Sequence, residues 1–187
     1  MPQEVRHVPR ILSEAGVRFI LVQALPNTRI DGVCFWLEHV PVVALTLRFD
    51  RIDSFWFTLF HELRHVLSGE DSLDTDLDKT RQDDDRPDSE KLADQFAVEN
   101  LIPQTKLANF IARVRPLCST KRIEAFAQTM QVHPSIVVGQ LQHRGEISWA
   151  NLRSMLIPVR EWIAESALTD GWGSALPVQV DAAHCSS

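Results

Sequence analysis

One pentad constrains this chain more than any other stretch of it. His61-Glu62-Leu63-Arg64-His65 sits inside the apolar run Phe55-Trp56-Phe57-Thr58-Leu59-Phe60 and is followed by Val66-Leu67. Residues four apart on a helix share a face one turn apart, so both imidazoles can reach a single cation. Glu62 stands beside them, where a carboxylate can accept a proton from water as a general base. Apolar residues on both sides fit a buried helix, which gives such a site a fixed shape and a dry wall. The pattern points to zinc-dependent hydrolysis, with a peptide bond as the expected target.

Two histidines do not complete a catalytic zinc site, which ordinarily has three protein ligands and one open position. Glu90 is the candidate third ligand. It shares a helical stripe with Ala93, Ala97 and Leu101, and the two alanines are small enough for this helix to approach the motif helix closely. Asp94, one turn beyond Glu90, is placed to hydrogen-bond the rear nitrogen of a ligating histidine and fix its tautomer.

The remaining periodicity predicts an α+β fold. A short helix over 8–15, ended at Gly16, precedes strands over 17–22, 30–37 and 40–47, rich in Val, Phe and Trp. These form a small three-stranded sheet packed on the motif helix, for which Asp53 or Ser54 is the expected N-cap. Residues 68–86 are acidic and polar and read as a flexible loop. Asp74, Asp76 and Asp78 match the first positions of a calcium loop, but Lys79 stands where Gly is required, and that reading is rejected. Helices follow over 87–101, opened by Pro87-Asp88-Ser89-Glu90, and over 104–114. The peptidase-like core is expected to span 1–115, a helical segment with helix-turn-helix-like spacing 116–165, and a disordered tail 166–187.

A chain of 187 residues with 44% hydrophobic and 24% charged residues is an ordinary globular protein, and a net charge of −6 argues against a dominant nucleic-acid surface. The presumed second helix of the helix-turn-helix-like segment has no Lys or Arg before Arg144, so direct DNA binding is set aside. Cys34, Cys118 and Cys185 lie far apart and fit a reducing compartment. With neither a leader nor an apolar run of about 18 residues, the chain reads as cytoplasmic and free of the membrane. There is no Tyr. Stabilising the oxyanion therefore falls to the cation and one of His133, His143, Arg122 or Arg144, with the choice open. The strand over 40–47 is expected to offer a free edge to an extended substrate.

The helix bearing His61 and His65, followed by Glu90-Lys91-Leu92-Ala93-Asp94-Gln95-Phe96-Ala97 and Leu101-Ile102-Pro103, resembles the ImmA/IrrE metallo-endopeptidases. The stretches 30–36, 51–58 and 132–141 also resemble the C-terminal region of HigA-type antitoxin regulators, in which a DNA-binding domain comes first. The resemblance covers residues 5–160 and suggests a stand-alone form or a piece of a larger regulator. It implies a zincin-like core with His61, His65 and Glu90 as ligands and Glu62 as general base. The implied metal is zinc, with manganese as an alternative. The implied substrate is a repressor or toxin–antitoxin protein, cut in a stress response that regulates transcription. The alternative is a non-catalytic antitoxin or regulatory protein-binding module whose metal is structural or vestigial. Arg64 stands where such proteins often carry a small residue, and its bulk is expected to narrow the site.

Overall fold

The motif helix is the element on which the other layers are assembled. A computed structural model describes residues 2–24, 27–69, 72–75 and 87–169. A 3-10 turn (Pro2–His7) leads into helix α1 (Val8–Glu14), followed by strands β1 (Arg18–Leu21), β2 (Ile30–Leu37) and β3 (Val40–Leu45). The motif helix is α2 (Ile52–Ser68). Then come strand β4 (Ser72–Thr75), helices α3 (Asp88–Leu101), α4 (Gln104–Val114), α5 (Thr120–Met130) and α6 (Pro134–His143), the short helix α7 (Arg160–Ile163), and strand β5 (Leu168–Thr169).

The three expected strands form the centre of the sheet, and two short strands flank them in the order β4-β2-β3-β1-β5. β2 runs antiparallel to β3 and β4, whereas β1 runs parallel to β3 and β5. This order corrects one expectation. β3 has β2 on one side and β1 on the other, so it has no free edge for a substrate. Its consecutive Val42, Val43, Ala44 and Leu45 are all buried, as suits a strand covered on both faces. β4 also corrects the reading of 68–86 as continuous loop, because Ser72–Thr75 adds to the sheet beside β2. Leu168–Thr169, expected in the tail, pairs with β1 as β5. The rest of the acidic run (76–86), the tail from 170 and Cys185 lie outside the described residues.

Helix α2 buries Ile52, Phe55 and Leu59 in the main core and turns Thr58, His61, Glu62 and His65 toward α3 and β2. It closes at Gly69, whose φ of +71° lets its N–H reach the His65 and Val66 carbonyls. At its other end the expected cap is not formed. The helix begins one residue before Asp53, and that carboxylate turns back to Arg51 (Nε–Oδ1 3.0 Å) beneath α6. A buried acid in the first turn needs a cation more than a helix needs one more cap.

α3 lies on α2 through Ala93, Ala97 and Leu101, all buried, so the small-residue stripe brings the two helices together as expected. Helices α4 to α6 complete the core, with Phe110 stacked on Phe126 at 4.3 Å between ring centres. α6 is buried from residue 135 to residue 142. It braces α2.

Candidate metal centre

Four side chains from two helices converge at the α2–α3 contact. His61 and His65 come from successive turns of α2, with ring centres 5.0 Å apart. Glu90 enters from the first turn of α3. Its two oxygens divide between the histidines: Oε2 is 3.2 Å from His61 Nε2 and Oε1 is 3.3 Å from His65 Nε2. The two Nε2 atoms are themselves 3.3 Å apart. These three residues are the group among the described residues whose ligand atoms cluster tightly enough to hold a metal ion.

The spacing can be tested against zinc. Tetrahedral bonds of about 2.0–2.1 Å place ligand atoms about 3.3 Å from one another. The observed separations of 3.2, 3.3 and 3.3 Å match that edge length. Two imidazoles and one carboxylate are also the donor set of one class of catalytic zinc sites, which keeps its fourth position open. The residues present therefore fit a divalent ion of this size.

Asp94 lies on the other side of His61. Its Oδ1 is 2.9 Å from His61 Nδ1. A carboxylate there holds the proton on Nδ1 and leaves the Nε2 lone pair directed at Glu90 and His65, as a ligand requires. His61, Glu62 and His65 are 1%, 0% and 2% exposed. Arg64 does not crowd them, because its guanidinium runs along the helix to Ser68 Oγ.

Glu62 is directed at the sheet, where Gly32 of β2 meets it. A Cβ on Gly32 would stand 2.6 Å from Glu62 Oε1 and 2.7 Å from Thr58 Cγ2. Only a glycine lets the strand approach the carboxylate this closely. Gly139 of α6 does the same for Asp53, whose Cβ and Cγ would be 2.8 and 2.9 Å from an added methyl. Neither glycine was singled out from the sequence, although an isolated Gly inside a strand or helix pattern is itself a sign of close backbone approach.

The open oxyanion candidates separate. His133 caps α6, its Nδ1 accepting from Ser135 N at 3.1 Å. Arg122 lies on the exposed side of α5. His143 and Arg144 instead line a cavity of about 360 Å³ between α2, α3 and α6, which also borders Asp94. Burial holds the His143 imidazole below the ordinary histidine range, and it stacks on Phe57 at 6.3 Å.

With the site in view, the chain can be compared with known proteins. The M78 peptidase family, described as the IrrE N-terminal-like domain, matches residues 14–136. No curated protein matches the chain.

Proposed function

The chain belongs to the M78 peptidase family with an IrrE N-terminal-like domain, and from that premise we propose that it is a zinc-dependent endopeptidase cutting a regulatory protein of the repressor or antitoxin type. The single observation that carries this reading is the His61, His65, Glu90 triad, spaced at a tetrahedral edge with Glu62 buried beside it. This triad is typical of zinc metallo-endopeptidases.

A divalent cation bound there supplies Lewis acidity to a scissile carbonyl and a lowered pKa to water. The protein's own residues do the rest. Glu62 takes the proton of the attacking water and returns it to the leaving amine. Gly32 and Thr58 wall in the Glu62 carboxylate, which fixes where that proton is received. Asp94 orients His61. β4, at the sheet edge and one strand from Gly32, offers main-chain groups to an extended substrate, the role first expected of β3. The preferred metal is zinc over manganese, because four-coordinate histidine-rich sites suit zinc whereas manganese favours oxygen-rich octahedra. None of the described helices is long and apolar enough to cross a membrane.

The test is to incubate zinc-loaded protein with the products of its neighbouring genes and resolve fragments by mass spectrometry. The wild type is expected to make one discrete cut. Glu62→Gln is expected to retain zinc and make none, and His65→Ala to lose the zinc. A stoichiometric complex that stays uncut with zinc bound would instead establish a protein-binding module with a structural metal.

A further inference from the structure

Two walls of the cavity of about 360 Å³ are Phe57 and Thr58, which stand one helical turn ahead of His61 and Glu62 on α2. The ring centres of Phe57 and His61 are 6.1 Å apart. The Cβ position of Gly32 is 2.6 Å from Glu62 Oε1 and 2.7 Å from Thr58 Cγ2, so the base and the cavity wall are neighbours. The cavity therefore adjoins the metal centre along α2.

Which part of a substrate meets this space follows from the route of the proton. Glu62 returns its proton to the leaving amine, so the scissile nitrogen must stand at that carboxylate. The next Cα in the substrate is bonded to that nitrogen, about 1.5 Å away, and its side chain branches there. Running past Thr58, that side chain enters the cavity. The residue that supplies the carbonyl begins on the other side of the scissile bond, further from Thr58.

The lining defines what that side chain is. The floor is apolar, with Leu101 of α3 and Ile136 of α6 both buried. The mouth is aromatic: His143 stacks on Phe57 at 6.3 Å, and Trp149 stands edge-on to His143 at 5.0 Å. The charged groups on the walls are already engaged. Asp53 pairs with Arg51, Asp31 with Arg48, and Asp94 with His61 Nδ1, while Arg144 donates to Gln104 Oε1. A charged guest would enter without a partner, which is costly, whereas an aromatic ring gains both burial and ring-to-ring contact. The volume lies at the small end of the range for ligand sites and suits one large side chain.

We propose that this cavity is the specificity pocket of the peptidase and that it selects an aromatic side chain, Phe or Trp, on the substrate residue that becomes the new amino terminus. The inference rests on the metal-centre reading, because a bound cation fixes where the chain is cut.

The probes are two succinyl hydroxamates that present the same hydroxamate to zinc and differ in the adjacent side chain, benzyl in one and methyl in the other. Both are titrated calorimetrically into full-length protein whose zinc affinity has first been measured by chelator competition. The benzyl compound is expected to bind on the order of ten- to hundredfold more tightly. A third compound with an aminobutyl side chain is expected to bind no better than the methyl one. Val98→Phe, which fills the cavity from α3, is expected to bring the benzyl compound within threefold of the methyl one. Zinc affinity and binding of the methyl compound should stay within threefold of wild type. Val98→Leu, a smaller intrusion, serves if the larger substitution fails to fold. Zinc-loaded protein that binds the benzyl and methyl compounds equally, or binds neither, overturns the pocket and leaves the metal ligands standing. A benzyl preference that survives in a folded Val98 variant overturns the assignment to this cavity. Protein that holds no zinc brings down the metal-centre reading, and this inference with it.

Discussion

Gly32→Ala is a one-carbon change on a strand that carries none of the metal ligands, yet it should disable the site. The new methyl would stand 2.6 Å from Glu62 Oε1, 2.7 Å from Thr58 Cγ2 and 3.0 Å from Glu62 Cγ. Carbon contacts are comfortable near 3.5–4.0 Å, so the strand and helix must part, or the carboxylate must retreat, by about 1 Å. Glu62 is 0% exposed and Thr58 6%, so neither can swing into solvent. Overpacking of this kind costs about 1–3 kcal/mol, a fall in Tm of roughly 2–4 °C per kcal/mol for a chain of this size. A displacement near 1 Å at a catalytic group costs on the order of 100-fold in rate. The metal ligands approach from α2 and α3, whereas the atoms nearest the new methyl belong to Glu62 and Thr58, so zinc affinity should change less than threefold. The assay measures all three: thermal denaturation, chelator competition for zinc, and hydrolysis of labelled casein or the identified substrate. Thr58→Ser in the same background removes the Cγ2 contact and should recover part of the stability but little of the activity, because Glu62 remains displaced. Wild-type Tm together with wild-type turnover in Gly32→Ala would refute the claim that this glycine sets the position of the carboxylate.

Three further outcomes follow from the same geometry. Asp94→Asn should weaken zinc binding by about 10- to 100-fold, read by chelator competition, because an amide holds the His61 tautomer poorly. Gly139→Ala should destabilise the fold by about 1–3 kcal/mol in urea melts, since its methyl would overlap the buried Asp53. Burial holds His143 and His133 below the ordinary histidine value near 6.5. The unfolded chain therefore takes up protons first as acid is added. Their contribution should be intact above about pH 6.5 and lost as pH falls toward the depressed folded values, and His143→Gln should flatten that slope in metal-free protein.

The metal centre was legible because its pieces are local in sequence. His61 and His65 are one helical turn apart, and Glu90 and Asp94 belong to a stripe whose alanines announce a close helix contact. Helix periodicity alone places such residues on one face. What could not be read was which distant backbone answers each buried polar group. Asp53 looked like a cap because a short acid before an apolar run normally is one. Its true partner, Arg51, is only two residues away, but the burial that calls for that partner comes from Gly139 as α6 packs against α2. β4 hid inside an acidic run because strand propensity is weak there, and its backbone pairs with the edge of β2, a distant partner that local sequence does not announce. β3 was given a free edge because nothing local says that β1 will lie beside it in parallel.

The same logic explains why one helix tolerates so much buried polarity. Asp53, His61, Glu62 and His65 all lie on α2 and all are less than a tenth exposed. Each would be costly alone. The fold meets them with different neighbours: Arg51 for Asp53, Asp94 for His61, Glu90 for both histidines, and the backbone of β2 closing over Glu62. Removing the cation or Glu90 should therefore bring two buried imidazoles 3.3 Å apart into conflict at low pH, since two like charges would then stand side by side. Glu90→Gln should accordingly lose zinc and also become more acid-labile than the wild type stripped of metal. A Glu90→Gln protein whose stability below pH 6 equalled that of the stripped wild type would show that the carboxylate serves the metal alone and does nothing for the fold.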